Sequence, residues 1–287
     1  MKNKILTGFL LVLIGGWGSL SAQSAGSNYA RQVNTLIGTK GVGLTSGYLY
    51  PGATYPYGMV QFTPSYFSKR SGFVINQLSG GGCEHMGNFP TFPVKGKLKM
   101  SPDNILNYRI NISEEKGHAG YYEAKVQEDI HAKLTVTERT GMASYEYPAD
   151  QQYGTVIIGG GISATPIDQA AIVITAPNKC EGYAEGGNFC GLRTPYKVYF
   201  VAEFDTDALE SGTWKRNELK PNTTFAEGEY SGVYFTFDVD KKKNVQYKIG
   251  VSYVSVENAR ENLKAENTGW DFLQIQNQAE SKWNHYL

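Results

Sequence analysis

From Tyr121 to Ser255 the chain repeats one pattern, apolar and polar residues in alternation broken by Gly, Pro, Asn or Asp, and this limits the fold more than any other feature. In IHAKLTVTER, Ile130, Ala132, Leu134 and Val136 fall on one side of an extended segment, and His131, Lys133, Thr135 and Thr137 on the other. A period of two is the mark of a half-buried strand. MASYEYP, TVIIGG, AAIVITA, YKVYFVAEF, GVYFTFDV and VQYKIGVSYVS repeat the style. Many short strands without intervening helices predict a mainly β chain, a large antiparallel β-sandwich over 23–255. The 33 glycines, 20 tyrosines and 13 phenylalanines suit such a fold, with many turns and an aromatic core.

Both ends differ from this middle. Lys2 and Lys4 precede an apolar run from Ile5 to Leu20, followed by Ser21, Ala22 and Gln23. The run is short and interrupted by Gly8, Gly15, Gly16 and Gly18, so residues 1–22 read as a cleaved secretory leader rather than a membrane span, which wants about 20 apolar residues. The protein is then exported, periplasmic or extracellular. After Ser255 the period becomes helical: ENARENLKAE precedes a segment in which Phe272, Ile275, Ala279 and Trp283 stand three or four residues apart. Residues 256–287 are expected to form helices carrying an apolar stripe that needs cover, from a missing partner domain or from the sandwich itself. The 27 basic and 27 acidic residues balance, and loss of a leader holding Lys2 and Lys4 leaves a slight acidic excess. Neither nucleic acid nor an anionic membrane is invited.

Chemistry must come from few residues. Of the histidines, His131 lies on the polar face of a strand, His118 in a turn where bonding to local backbone is ordinary, and His285 on the last helix. His85 stands in FVINQLSGGGCEHMGNFPTFPVKGKL, whose composition is specialised. No C-x2-C or H-x3-H spacing accompanies Cys83, Glu84 and His85, so zinc is disfavoured. Neighbours on an extended strand point apart, which argues against a local Cys/His nucleophile pair. A reactive Cys83 of lowered pKa is the remaining cysteine-based reading. The runs Gly80–Gly82 and Gly159–Gly161 lack the Lys and the helix of a phosphate loop and suit tight turns. A Cys180–Cys190 disulfide across EGYAEGGNF, leaving Cys83 free, and burial of unbonded cysteines as small apolar groups both fit the three cysteines. A loop mixing Gly, Asn, Glu, His and Phe suits sugars, whose hydroxyls need hydrogen bonds and whose C–H faces pack on rings.

Six blocks carry a resemblance beyond these arguments: VNTLIGT (33–39), YPGATYPYGMVQFTP (50–64), LSGGGCEHMGNFPTFPV (78–94), KGHAGYYEAKV (116–126), NFCGLRTPYKVYFVAEF (188–204) and VSYVSVENARENLKAENTGWDF (251–272). In this order they resemble the N-terminal part of glycoside hydrolase family 92, exo-acting α-mannosidases. The resemblance implies a β-sandwich of the supersandwich type, a helical linker and a following (α/α)6 barrel, with the active site between. It implies an inverting, calcium-dependent enzyme, perhaps α-1,2-directed, acting on mannose-containing glycans, with both catalytic carboxylates in the barrel and none in this chain. It implies a substrate-pocket wall made of Gly82, Cys83, Glu84, His85, Phe189, Cys190 and Gly191, with His85 and backbone amides on hydroxyls and Phe189 on a sugar face. If both segments line one pocket, Cys190 lies near Cys83 instead of Cys180. Where relatives often carry an acidic residue, this chain has Asn88, which argues against position 88 as a ligand. The alternative is a stand-alone carbohydrate-binding or partner-docking module.

Overall fold

The structure, a computed structural model, describes residues 28–39, 48–65, 72–103 and 111–287. The expected leader lies outside the described residues. Short strands β1 (Ala53–Thr54), β2 (Gln61–Pro64) and β3 (Phe73–Val74) lead to β4 (Thr91–Lys95). A meander follows, β5 (Ile112–His118), β6 (Tyr121–Val126), β7 (Ile130–Val136) and β8 (Thr140–Glu146), and the chain then crosses to the other sheet as β9 (Tyr153–Gly159). Next come the long β10 (Ile167–Ala176), β11 (Lys179–Phe189) and β12 (Leu192–Phe204). The sheets finish with β13 (Glu210–Lys215), β14 (Glu218–Pro221), β15 (Phe225–Glu227), β16 (Ser231–Asp238) and β17 (Asn244–Ser252), before helices α1 (Val256–Glu266) and α2 (Phe272–Tyr286).

Two antiparallel sheets result. One is eight-stranded, β1-β2-β3-β4-β9-β16-β13-β14; the other is nine-stranded, β15-β10-β11-β12-β17-β8-β7-β6-β5. Their inner faces meet in one apolar core. Aromatic rings bridge the two layers: Phe73 on β3 stacks with Tyr145 on β8 at 6.2 Å, and Phe204 on β12 meets Phe235 on β16 at 5.0 Å. Offset and tilted pairs at such spacing are the favourable arrangements. The sandwich predicted from alternation is the one observed.

In β7, Ile130, Ala132, Leu134 and Val136 are fully buried as expected. Thr135 and Thr137, expected on a polar outer face, are buried too. The helices cover that end of the sheet. Thr135 Oγ1 donates to Gly120 O at 2.9 Å, and Thr137 Oγ1 to Glu266 at the end of α1 at 2.6 Å. Alternation reports which residues face the sheet's own core; it does not register a second layer on the other side.

Each helix begins at a side-chain cap, Ser255 Oγ on Asn258 N and Asp271 Oδ1 on Gln274 N, both at 3.0 Å. Helix α1 buries Ala259 and Leu263 against Val201 on the outside of the nine-stranded sheet. Gly250 permits the approach, since a Cβ there would stand 2.5 Å from Ala259 O. Helix α2 is also docked. Ile275 and Ala279 are buried, Ala279 sits over Gly120, and Trp283 Nε1 donates to Thr54 O at 2.7 Å. Of the two covers expected for the apolar stripe, the sandwich supplies one, over Ile275, Ala279 and Trp283.

The α2 contact includes a buried charge. Glu280 accepts from Arg31 Nε at 2.9 Å, Asn28 Nδ2 at 3.2 Å and Gln276 Nε2 at 2.8 Å, and His118 Nε2 lies 3.6 Å away. Burial alone would raise its pKa; the donors, led by Arg31, outweigh burial and hold it below the ordinary 4.5. A depressed carboxyl contributes stability that is complete above the unfolded value and is lost as pH falls through the folded one. Acid below about pH 4.5 is therefore expected to loosen α2 before the sandwich unfolds. Trp283 fluorescence followed during acid titration should show this step, and Glu280→Gln should abolish its pH dependence.

Candidate functional site

The specialised stretch leaves β3 and returns to β4 through an irregular loop, 75–90. Its backbone repeatedly enters the left-handed region: Gly80, Gly82, Met86, Gly87 and Phe89 all have φ between 54° and 79°. Glycine takes that region without a Cβ penalty, which explains the ends of the Gly80–Gly82 run. The middle one has a different reason, since a Cβ on Gly81 would press the Phe189 ring at 3.3 Å. The other triple glycine is also about proximity: a Cβ on Gly161 would fall 1.9 Å from Gly228 O.

Opposite this loop stands the tip of the β11–β12 hairpin. β12 pairs with β17 only over Tyr199–Phe204, so its first half and the turn overhang that neighbour. Phe189 pairs with Leu192, and the two residues between, Cys190 (φ 51°) and Gly191 (φ 85°), make a two-residue turn with both φ positive, as a type I′ hairpin demands. Asn188 Oδ1 accepts from Gly191 N at 2.9 Å. Arg193 braces the tip sideways, its guanidinium bidentate on Asp168 of β10 at 3.0 and 2.6 Å.

Loop and tip are joined covalently. Cys83 and Cys190 form a disulfide, Cα to Cα 5.6 Å. The local Cys180–Cys190 bond does not form, because the intervening segment stays extended as β11 instead of bending back. At about 3.3 Å per residue, positions ten apart on a strand lie far beyond disulfide reach. Cys180 is a free thiol, wholly buried among core side chains, and burial pushes its pKa up. The reading of Cys83 as a reactive thiol falls with the same observation.

His85 is the second link. Its Nδ1 lies 3.1 Å from Asn188 O, and a carbonyl only accepts, so Nδ1 carries the proton and Nε2 of the neutral ring is an acceptor. The ring is clamped edge-on between Phe189 at 5.0 Å and Tyr196 at 5.7 Å. Beneath, His85 O accepts from Gln77 Nε2 at 2.8 Å. Asn88, fully buried, donates its backbone N–H to Asn76 Oδ1 at 2.7 Å and accepts from Asn76 Nδ2 and Tyr196 OH. Burial holds the Tyr196 phenol up at about 12, offset by its bonds to Asn88 and Ser163. Glu84, half-buried, has its carboxyl raised by burial.

The structure thus gathers every residue singled out from sequence into one crosslinked unit. Gly82, Cys190 and Gly191 are exposed, Cys83, Glu84 and Phe189 half-buried, and His85 buried. Sequence reasoning missed the supports Asn76, Gln77, Asn188 and Tyr196; no periodicity marks them, since they act through loop geometry. Asn88 is a brace of the loop's base. The other histidines do as expected or nearly so: His118 Nδ1 lies 3.2 Å from Ala119 O, and His131, half-exposed, faces Glu123 at 3.3 Å.

On the far side of the loop, a groove of about 550 Å³ runs between Leu78, Met86, Met59, Tyr253 and Trp283. Loop, groove and α2 therefore form one continuous face. Among the described residues, no three His, Cys, Asp or Glu side chains cluster to hold a metal ion, and no helix is long and apolar enough to cross a membrane.

Comparison with known proteins bears on this face. Residues 32–252 match the family model for the glycosyl hydrolase family 92 N-terminal domain. A secreted glycosidase, itself uncharacterized, from Arthroderma benhamiae is 26% identical over 300 residues, covering 90% of this chain and 38% of its own. Among solved structures, a family GH92 α-mannosidase from Bacteroides thetaiotaomicron in complex with mannoimidazole superposes with a TM-score of 0.76 at 23% identity, over 90% of this chain and 37% of that one. An inverting GH92 mannosidase from the same organism gives 0.74 at 24%, over 88% and 35%. The solved structures speak for the fold. The chain spans less than two fifths of the length of each relative.

Proposed function

Because the chain belongs to glycosyl hydrolase family 92 through that family's N-terminal domain, we propose that it builds one wall of the substrate cleft of an exported α-mannosidase. The observation that carries this reading is the covalent and hydrogen-bonded union of the 75–90 loop with the 188–192 tip. Together they offer what a sugar needs: an aromatic face at Phe189, an acceptor at His85 Nε2, and turn amides. Substrates are mannose-containing glycans, with α-1,2 linkages as the first choice. The general acid and general base of inverting hydrolysis belong to the remainder of the protein, as do most ligands of the calcium site. Export is part of the same proposal and is supported by the secreted relative.

Two measurements test the reading. The 287-residue chain alone should release no mannose from α-1,2-mannobiose, whereas the complete protein should release it with inversion; release by the chain alone overturns the assignment. In the complete protein, Phe189→Ala should lower kcat/KM about 10-fold, the loss of roughly 1.4 kcal/mol of ring packing. An unchanged value removes Phe189 from the pocket.

A stand-alone binding module is favoured by one observation, the docking of α2 on its own sandwich, which makes the domain self-contained. Millimolar or tighter binding of mannose by this chain in calorimetry would select that reading.

A further inference from the structure

We propose that the Cys83–Cys190 disulfide is a reducible crosslink that sets the order of the candidate sugar-facing wall, so that a dithiol opens the wall while the sandwich stays folded. For its ligand the proposal rests on the carbohydrate reading; for its mechanism it rests on the structure alone.

Three observations combine. The bond is accessible: Cys190 is exposed at the overhanging tip and Cys83 only half-buried, unlike Cys180 in the core. Exposed disulfides are the ones thiolates reach. The bond also spans 107 residues, joining two segments that the sheets do not pair with each other. And among the described residues the loop around Cys83 shows few other anchors. Gly80 N donates to Tyr48 O at 2.8 Å and Tyr50 N to Ser79 Oγ at 3.2 Å, while a Cβ on Gly82 would meet nothing within 4 Å. Beyond the disulfide, the loop and tip share the His85–Asn188 hydrogen bond and the ring contacts of Phe189. By contrast, the base of the loop is fixed by Asn76, Gln77 and Asn88, and Ile75 and Phe89 seat its two ends in the core. Opening the bond therefore frees 79–84 and 189–191 and leaves the strands paired.

The step balances as thiol–disulfide exchange. One thiolate of a dithiol attacks Cys190 Sγ; the protein S–S bond breaks and Cys83 leaves as thiolate, taking up a proton. The second thiol of the reductant then attacks its own sulfur in the mixed disulfide, releasing the Cys190 thiol. Two electrons pass from dithiol to protein, leaving two protein thiols and a cyclic disulfide.

The test is thiol counting with hydrogen exchange on the folded 287-residue chain. Before reduction no thiol should react natively, and one, Cys180, should react after denaturation. After treatment with dithiothreitol and its removal under inert gas, two should react natively, and exchange should rise at least 10-fold in 79–84 and 189–191 with the rest of the strands unchanged. A Cys83→Ala/Cys190→Ala double variant should match the reduced protein and ignore the dithiol. Failure to release thiols without global unfolding overturns the proposal, as does release with unchanged exchange. Mannose titrated into both forms adds an independent arm. Weaker binding on reduction supports the link to the ligand, and equal binding overturns it. No binding in either form counts against the carbohydrate reading while the exchange result still decides this one.

Discussion

Cys83→Ala lowers the free energy of unfolding by about 4 kcal/mol in non-reducing urea titrations. The estimate follows from where the bond sits. A crosslink acts mainly by restricting the unfolded chain, and for a closed loop on the order of 100 residues the entropy model gives about 4.7 kcal/mol, with measured losses of roughly 2–5 kcal/mol. The separation of 107 residues places this bond at the upper end. Cys190→Ala should cost nearly the same, and the double variant little more, because one bond is lost in each case. The comparison with Cys180→Ala separates crosslink from packing: that thiol is buried and unbonded, so its removal is a small cavity effect of roughly 1 kcal/mol. Equal midpoints for the wild type and Cys83→Ala would show that the bond does not form in the folded protein.

Phe89→Ala is expected to cost about 3–5 kcal/mol and to disturb the loop above it. Phe89 is fully buried, its ring 4.2 Å from that of Phe200 on β12, and it directly follows Asn88. Its backbone also lies at φ 54°, a conformation a bulky residue adopts only when the surroundings enforce it. The ring thus pins the loop's exit into the core. Alanine would lose the packing and keep the unfavourable φ, so loss of the ring should appear twice: as a lower urea midpoint, and as faster exchange at Asn76 and Asn88. An unfolding free energy within about 1 kcal/mol of wild type would mean that the ring is not the anchor.

Much of this fold was legible because a sheet's inner face imposes a period of two. Ile130, Ala132, Leu134 and Val136 declared their direction without further knowledge. What escaped was whatever depended on a third layer or on loop geometry. Thr135 and the stripe on α2 were assigned by period alone, and only the packing of helix on sheet shows that Thr135 is covered and that the stripe finds its cover within the chain. For the candidate site, the residue types at 82–85 and 189–191 were visible in sequence, and the resemblance linked them. The pairing of cysteines was not, because a glycine-rich segment reads equally as a bend or as a strand admitting close neighbours. Gly182 decides for the strand, since a Cβ there would lie 2.1 Å from Ala171 O. Asn188 and Tyr196 gave no signal, as each matters only through what it holds in place.

The bonds that seat α2 have a further consequence. Ala30 N and Asn28 reach Asn284, while Asn28 and Arg31 reach Glu280, so segments some 250 positions apart are buckled side by side. Neither can peel back without undoing the grip of the other. Fraying, ordinarily the cheapest excursion of a polypeptide, becomes here a joint event, and a protease should find both stretches or neither.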